Sequence, residues 1–220
     1  MMTTDHFDQV TQKFGDLRYM NENQAAYLRD FVAEKEIETV LELGFCHGKS
    51  SAYWAAILED LGKGHLTTID KCRGNPVSPS IDEVLDQLGL SHRVDYVFAH
   101  RSFTWELAKL IQQNPRPQFD VCYLDGGHTW DITNVGFLLV DLLLKPGGWI
   151  IFDDLDWTIS KSVANRPKTA RDPWITYSQD ERDAKGVRMV WELIVPEFGY
   201  VNRSEVPHFQ WGVAQKPLAR

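Results

Sequence analysis

The chain has 220 residues, of which 43% are hydrophobic and 25% are charged, and its formal net charge is −8. This length and composition are typical of a globular protein with one ordinary core. The acidic balance disfavours a nucleic-acid partner, whose binding surface is normally basic, and no apolar run approaches the ~20 residues that a membrane-spanning helix needs.

The cysteines and the first residues bear on the cellular compartment. Cys46, Cys72 and Cys122 are odd in number and lack the C-x-x-C spacing of a metal site, which favours reduced thiols. The first ten residues, MMTTDHFDQV, are too polar for a secretory signal peptide. We therefore expect a cytoplasmic protein.

Along the chain, short apolar runs alternate with amphipathic segments. Residues 1–35 predict an N-terminal helical segment. The predicted strands that follow are residues 39–44, 65–70, 94–99, 118–125 and 149–154, with predicted helices at residues 50–62, 80–90, 103–114 and 131–144. Strands that are apolar on both faces and alternate with helices predict a parallel sheet with helices packed on it.

The last third of the chain has a different pattern. Residues 156–185 lack strong periodicity and predict a long loop, of a length that is usually functional or mobile. Residues 183–199 predict a helix, and residues 200–204 and 208–216 predict two strands joined by a short turn. The sheet is therefore expected to end in an antiparallel hairpin.

A glycine-rich turn follows the first predicted strand. In VLELGFCHGKSS, Glu42, Gly44 and Gly48 lie between that strand and a helix N-terminus, where a ligand can approach backbone N–H groups. The spacing is neither the dinucleotide G-x-G-x-x-G nor a phosphate-binding P-loop. Asp70 ends the next strand, where an acid can accept hydrogen bonds from a ribose. A purely structural turn of another α/β domain is the alternative.

These residues resemble the class I S-adenosylmethionine (SAM)-dependent methyltransferases, in element order over residues 36–216. The resemblance implies a Rossmann-like, doubly wound α/β fold, with a mostly parallel seven-stranded sheet and a C-terminal antiparallel hairpin, formed by residues 1–220 as a single domain. It also implies a set of cofactor-binding residues, which comprises Glu42, Gly44, Gly48, Ser50, Asp70, Ser102 and Asp125. Relatives often carry Gly-Asp before the serine at position 102, whereas this chain has His100 and Arg101.

Carboxylates cluster at the ends of the fourth and fifth predicted strands. Asp125 ends one and Asp153 and Asp154 end the other, so the three side chains can converge at one edge of the sheet. Oxygen ligands without a nearby thiol suit Mg²⁺, Mn²⁺ or Ca²⁺ better than zinc. We predict a metal site of these three residues, and expect Asp156 to be a solvated loop residue or a helix cap.

His128 follows Asp125 by three positions, in a turn that contains two glycines. The arrangement resembles metal-dependent O-methyltransferases of the catechol type, with Asp-Asp in place of Asp-Asn and His128 in place of a lysine. It is more similar still to macrolide sugar O-methyltransferases and to the cephalosporin hydroxylase group. The resemblance implies Mg²⁺ or Mn²⁺ as metal, and His128 can serve as the general base because imidazole exchanges protons near neutral pH.

The predicted function is therefore O-methylation of a small molecule that carries a hydroxyl, such as a sugar or a phenolic natural product. Trp157, Trp174 and Tyr177 make residues 156–185 a candidate lid, although the three rings could equally pack the loop against the domain. A metal-dependent oxygenase on the same scaffold and a non-catalytic SAM-binding module remain as alternatives. The sequence leaves the acceptor and any homo-oligomer undetermined.

Overall fold

The protein is described from a computed structural model, which covers residues 5–71, 77–165 and 172–218. Its strands are β1 (Thr39–Leu43), β2 (His65–Lys71), β3 (Val94–Ala99), β4 (Phe119–Leu124), β5 (Leu144–Phe152), β6 (Val201–Val206) and β7 (Trp211–Gln215). Its α-helices are α1 (His6–Phe14), α2 (Glu22–Lys35), α3 (Lys49–Asp60), α4 (Ile81–Leu88), α5 (Phe103–Gln112), α6 (Trp130–Asp141), α7 (Ile159–Ala164), α8 (Gln179–Asp183) and α9 (Gly186–Met189). Within these ranges, no helix is both long enough and apolar enough to cross a membrane.

The strands form one seven-stranded sheet in the order β3-β2-β1-β4-β5-β7-β6. The first five strands pair in parallel, whereas β7 pairs antiparallel with both β5 and β6. The predicted fold class is therefore confirmed, including the C-terminal hairpin. Strand order reverses between β1 and β4, and ligands of such sheets bind in the crevice beyond the carboxyl ends of the strands at this point.

Each face of the sheet carries its own hydrophobic core. Helices α1 to α4 cover one face, where Trp54, Tyr123 and Trp211 are fully buried. Helices α5 and α6 and the segment after α9 cover the other face, around Phe137 and Phe152. Burial on both faces explains why the central strands are apolar without alternation.

Three segments differ from the sequence-based expectation. Strand β5 begins at Leu144 and not at residue 149 as predicted, because residues 145–148 join the strand through a shift in register against β4. Within residues 156–185, expected to be a loop, the described part contains α7 and α8; residues 166–171 lie outside the described ranges, as does Cys72. The helix predicted for residues 183–199 is α9 continued by a π turn and a 3₁₀ turn, and Pro196 lacks the N–H that a regular helix uses.

Asp120 ties β1 to β4 and β5 at the edge of the sheet where the parallel strands begin. Its Oδ2 accepts hydrogen bonds from the backbone N of Glu38 at 3.0 Å and from the backbone N and the hydroxyl of Thr39 at 2.8 Å each. Its Oδ1 accepts from Lys145 Nζ at 2.7 Å. Burial acts to raise the pKa of Asp120, but these hydrogen bonds outweigh it and hold the pKa below its usual value.

Asp120→Ala is expected to lower the free energy of unfolding by about 1–3 kcal/mol at neutral pH, because two backbone amides lose their acceptor. The folded-state pKa is lowered, so the stabilisation is present above the ordinary aspartate pKa and is lost as pH falls through the lowered value. Urea unfolding at neutral and at acidic pH measures both effects. The exposed Asp30→Ala is the control, and a difference from the wild type that does not shrink in acid would contradict the account.

Candidate active site

The turn between β1 and α3 can be formed only with glycines at two positions. Gly44 has φ +99°, and a Cβ there would lie 2.5 Å from the carbonyl oxygen of Asp125. Gly48 has φ +87°, and a Cβ there would lie 2.6 Å from Cγ1 of Ile81. Gly48 also caps α3 without a side-chain hydrogen bond, which leaves the positive end of this helix open toward a ligand.

Asp70 shapes this turn from the end of β2. Its Oδ2 accepts hydrogen bonds from the backbone N of Phe45 at 3.2 Å and of Cys46 at 2.7 Å, and its Oδ1 accepts from Lys71 N at 2.6 Å. The same carboxylate lines the cavity beside the turn. The structure therefore places Asp70, the residue predicted to bind a ribose, in the cleft. It also gives Asp70 a second role, which is to hold the turn in place.

Glu42 lies beneath the turn and does not line the cleft. It is fully buried, and the hydroxyls of Ser51 and Thr68 donate to its Oε2. Burial raises its pKa to about 7; hydrogen bonds from Ser50, Ser51 and Thr68 oppose the shift, and the charge of Asp70 adds to it. In the structure Glu42 thus joins β1 to α3 and β2, whereas the sequence predicted a direct contact with a cofactor.

Of the other predicted cofactor residues, Ser50 lines the cleft and Ser102 does not. Ser102 is the N-cap of α5, where its Oγ accepts from Thr104 N at 3.2 Å. The cleft is a cavity of about 240 Å³ beyond the carboxyl ends of the strands. Its walls comprise residues 44–47, 49 and 50 of the turn, Asp70, residues 125–128, Asp154 and the connector residues Arg18 and Tyr19, which no sequence motif had indicated.

Three polar side chains converge in this cleft. His128 Nε2 lies 3.4 Å from Asp125 Oδ1 and 3.5 Å from Asp154 Oδ2. The atoms of the three residues that could ligate a metal ion all lie within 4.8 Å of one another. His128 Nε2 is buried and makes no hydrogen bond to any described residue. Burial and the charge of Asp154 raise the pKa of Asp125 well above its usual value. Crowding of this kind is what a bound cation would relieve.

Asp153 is placed differently from the prediction that it binds metal. Its Oδ2 accepts from Tyr123 Oη at 2.5 Å, and its Oδ1 accepts from Trp211 Nε1 and from Asp154 N, both at 2.7 Å. Burial and the charges of Asp125 and Asp154 raise its pKa. Of the pair, only Asp154 lines the cleft, because it follows the end of β5 in a left-handed backbone conformation. Asp153 supports Asp154 by accepting the hydrogen bond from its backbone N, and Asp154 has a φ of +57°.

Asp156, the next carboxylate along the chain, belongs to a separate ion-pair group. Its Oδ1 lies 2.8 Å from Lys185 Nζ and 2.8 Å from Arg188 Nε. Hydrogen bonds from these two cations lower its pKa. Asp156 therefore fastens the start of the predicted lid segment to the region around α9, and it is more than the solvated residue or helix cap that was expected.

His128 also lines a second cavity, of about 560 Å³. Trp130, Trp157 and Tyr177 contribute to its lining, together with Asp131, Asp180 and Glu181. The ring of His128 lies 5.4 Å from that of Trp157, which in turn lies 5.9 Å from Trp174. Since His128 lines both cavities, a group transferred between their occupants would pass beside it.

Comparison with known families gives the chain a match over residues 41–155, to the family described as Methyltransferase domain. This range is more than half of the chain and contains the glycine turn, Asp70, Asp125, His128 and Asp154. No curated protein matches the chain.

Solved O-methyltransferases share the fold. The O-methyltransferase of Bacillus cereus, solved with S-adenosylhomocysteine (SAH), is 17% identical, with a TM-score of 0.66 over 97% of this chain and 92% of that one. TomG of Streptomyces achromogenes, involved in tomaymycin synthesis and solved with SAM, is 18% identical, with a TM-score of 0.64 over 98% and 91%. MycE of the mycinamycin pathway, solved with Mg, SAH and mycinamycin VI, is 15% identical, with a TM-score of 0.59 over 98% of this chain and 54% of that one.

Proposed function

We propose the following function from the fact that the chain belongs to the methyltransferase domain family. It transfers a methyl group from SAM to a hydroxyl oxygen of a small molecule, with Mg²⁺ or Mn²⁺ bound in the cleft. The observation that carries this proposal is the buried Nε2 of His128, which faces the carboxylates of Asp125 and Asp154 in a cavity shared with the glycine turn.

Several features of the cleft support SAM as the cofactor. The approach of Gly44 to the Asp125 backbone and the uncapped N-terminus of α3 leave room and donors for the methionine end of SAM. Asp70 lines the same cavity and has the chemistry to accept hydrogen bonds from a ribose. SAM-bound TomG and the SAH-bound enzyme of B. cereus, which share the fold, support this assignment.

The residues present also fit a divalent cation. Asp125 and Asp154 offer oxygen atoms, the donors that Mg²⁺ and Mn²⁺ prefer, and a positive charge there would favour the ionised form of Asp125. We assign these two residues as the protein ligands, in place of the predicted set that included Asp153. The described group holds one histidine and two carboxylates, whereas non-haem oxygenases use two histidines and one carboxylate, so the methyltransferase is favoured over the oxygenase.

In this mechanism SAM would supply the methyl group and leave as SAH, and a bound cation would stabilise the ionised form of the acceptor hydroxyl. Asp125 and Asp154 would hold the cation in the cleft. His128 accepts the proton of the hydroxyl at Nε2, which is otherwise without a hydrogen bond. Trp157 packs against the imidazole ring and limits its movement.

The acceptor occupies the second cavity. Trp130, Trp157 and Tyr177 give it flat apolar surfaces, which suit a sugar or a phenolic ring of a natural product. MycE, which shares the fold, was solved with mycinamycin VI. Closure of the segment at residues 156–185 over this cavity, a cytoplasmic location and self-association stay predictions.

Gly44→Ala is expected to weaken SAH binding by about tenfold or more, since the new Cβ would meet the Asp125 carbonyl and force the turn to move. Gly62→Ala is the matched control, because Gly62 also has a positive φ, +71°, but has open space where the Cβ would lie. Calorimetric titration of SAH into both variants makes the comparison. Equal affinities in the two variants would remove the glycine turn from the cofactor site.

The same titration, combined with an assay of methyl transfer from labelled SAM with and without EDTA, separates the candidate functions. The proposed enzyme binds SAH and requires Mg²⁺ or Mn²⁺ for turnover, whereas a non-catalytic module binds SAH and shows no metal-dependent methyl transfer. A protein that binds no SAH at all would overturn the proposal.

A further inference from the structure

Charged side chains of both signs line the cleft, which is the first of the two cavities, and carboxylates outnumber permanent cations there. Its carboxylates are Asp70, Asp125 and Asp154, and its permanent cations are Arg18 and Lys49. SAM carries a sulfonium, an ammonium and a carboxylate group, so the acidic walls suit its positive groups and leave its carboxylate in need of a cation. The inference below rests on the proposed function, because it concerns how this cavity binds SAM.

Lys49 is already committed to the protein itself. It is the first residue of α3 and is only 4% exposed. Its Nζ donates to the carbonyl oxygens of Gly15 at 2.7 Å and of Leu17 at 2.8 Å. These two bonds fix the connector between α1 and α2 to the glycine turn, and they place the next residue, Arg18, in the wall of the cavity.

Arg18 is the cation that remains. Across residues 5–71, 77–165 and 172–218, its guanidinium forms neither an ion pair nor a hydrogen bond, although it lines a cavity that also contains the uncapped N-terminus of α3. A guanidinium presents two parallel N–H groups that match a carboxylate. We propose that Arg18 binds the carboxylate of the methionine part of SAM and so makes the cofactor site selective for it.

The test compares two ligands that differ only in this group, SAM and decarboxylated SAM, by calorimetric titration. The wild type is expected to prefer SAM, and Arg18→Gln to lose about 10- to 100-fold in affinity for SAM, the range for a hydrogen-bonded charged pair, with its affinity for decarboxylated SAM unchanged. Arg18→Lys is expected to retain part of the preference. Arg116→Gln, an exposed arginine at the opposite end of β4, is the matched control.

Two results would overturn the assignment and leave the proposed function intact. One is an Arg18→Gln variant that binds SAM as tightly as the wild type. The other is an equal loss of affinity for both ligands, which would mean that Arg18 acts on the shape or the general potential of the cavity. A wild-type protein that binds neither ligand would overturn the proposed function itself, and this inference with it.

Discussion

His128→Asn is expected to reduce kcat by roughly 10²–10⁴-fold, which is the usual contribution of a general base. An amide can keep a hydrogen bond at this position but cannot take the proton from the acceptor. In the wild type the rate should rise with pH, because only the neutral imidazole accepts a proton. In the variant the remaining rate should depend on hydroxide and climb further at high pH. Methyl transfer from labelled SAM in the presence of Mg²⁺ measures both profiles.

Metal affinity separates a base from a ligand at this position. As a base, His128 can be replaced by asparagine with little change in the affinity for Mn²⁺ or SAH. A variant that keeps most of the wild-type rate and pH profile would show that the base lies elsewhere. A variant that loses Mn²⁺ together with activity would make His128 a third ligand of the cation, beside Asp125 and Asp154.

Asp154→Ala is expected to abolish metal-dependent turnover and to weaken Mn²⁺ binding by about 100-fold or more, because one of two charged oxygen ligands is lost. SAH affinity should change little, since the glycine turn and Asp70 are untouched. Electron paramagnetic resonance of free Mn²⁺ gives the metal affinity, and calorimetry gives the affinity for SAH.

Asp156→Ala is the matched control for this change. Asp156 is a carboxylate two residues further along, but its partners are Lys185 and Arg188 and it lies outside the cleft group. The Asp156→Ala variant should therefore keep the wild-type affinity for Mn²⁺. Equal losses in the two variants would point to a general effect of negative charge, and no loss in Asp154→Ala would leave the cleft carboxylates without their proposed role.

The sequence was sufficient for the parts of the site that depend on the backbone. The order of apolar runs defines the sheet, and parallel strands bring their carboxyl ends to one edge, so Asp70, Asp125 and Asp154 could be placed near the glycine turn. The positive φ of Gly44 and Gly48 is likewise a local property of a strand-to-helix turn, although the contacts with Asp125 and Ile81 that exclude a Cβ are not.

Side-chain direction and long-range partners were harder to predict. Acidity alone placed both Asp153 and Asp154 in the metal site, whereas the left-handed backbone of Asp154 and the partners Tyr123 and Trp211 of Asp153 depend on the folded structure. Glu42 matches a cofactor-binding motif, yet its carboxylate accepts hydrogen bonds from hydroxyls of α3 and β2 beneath the turn. Arg18 lines the cleft from a connector that is fixed by Lys49, a residue far along the chain, so no local pattern indicated it.

Paramagnetic relaxation of the SAM methyl resonance by Mn²⁺ tests most directly whether one cleft binds cofactor and cation together. Asp154 and the glycine turn line the same cavity, so a bound Mn²⁺ should lie close enough to SAM to broaden its methyl signal strongly. Diamagnetic Mg²⁺ provides the reference. We expect strong broadening with the wild-type protein and Mn²⁺, and little with Asp154→Ala. Broadening that is equally strong in the variant, or absent in the wild type although SAM is bound, would contradict the proposed function.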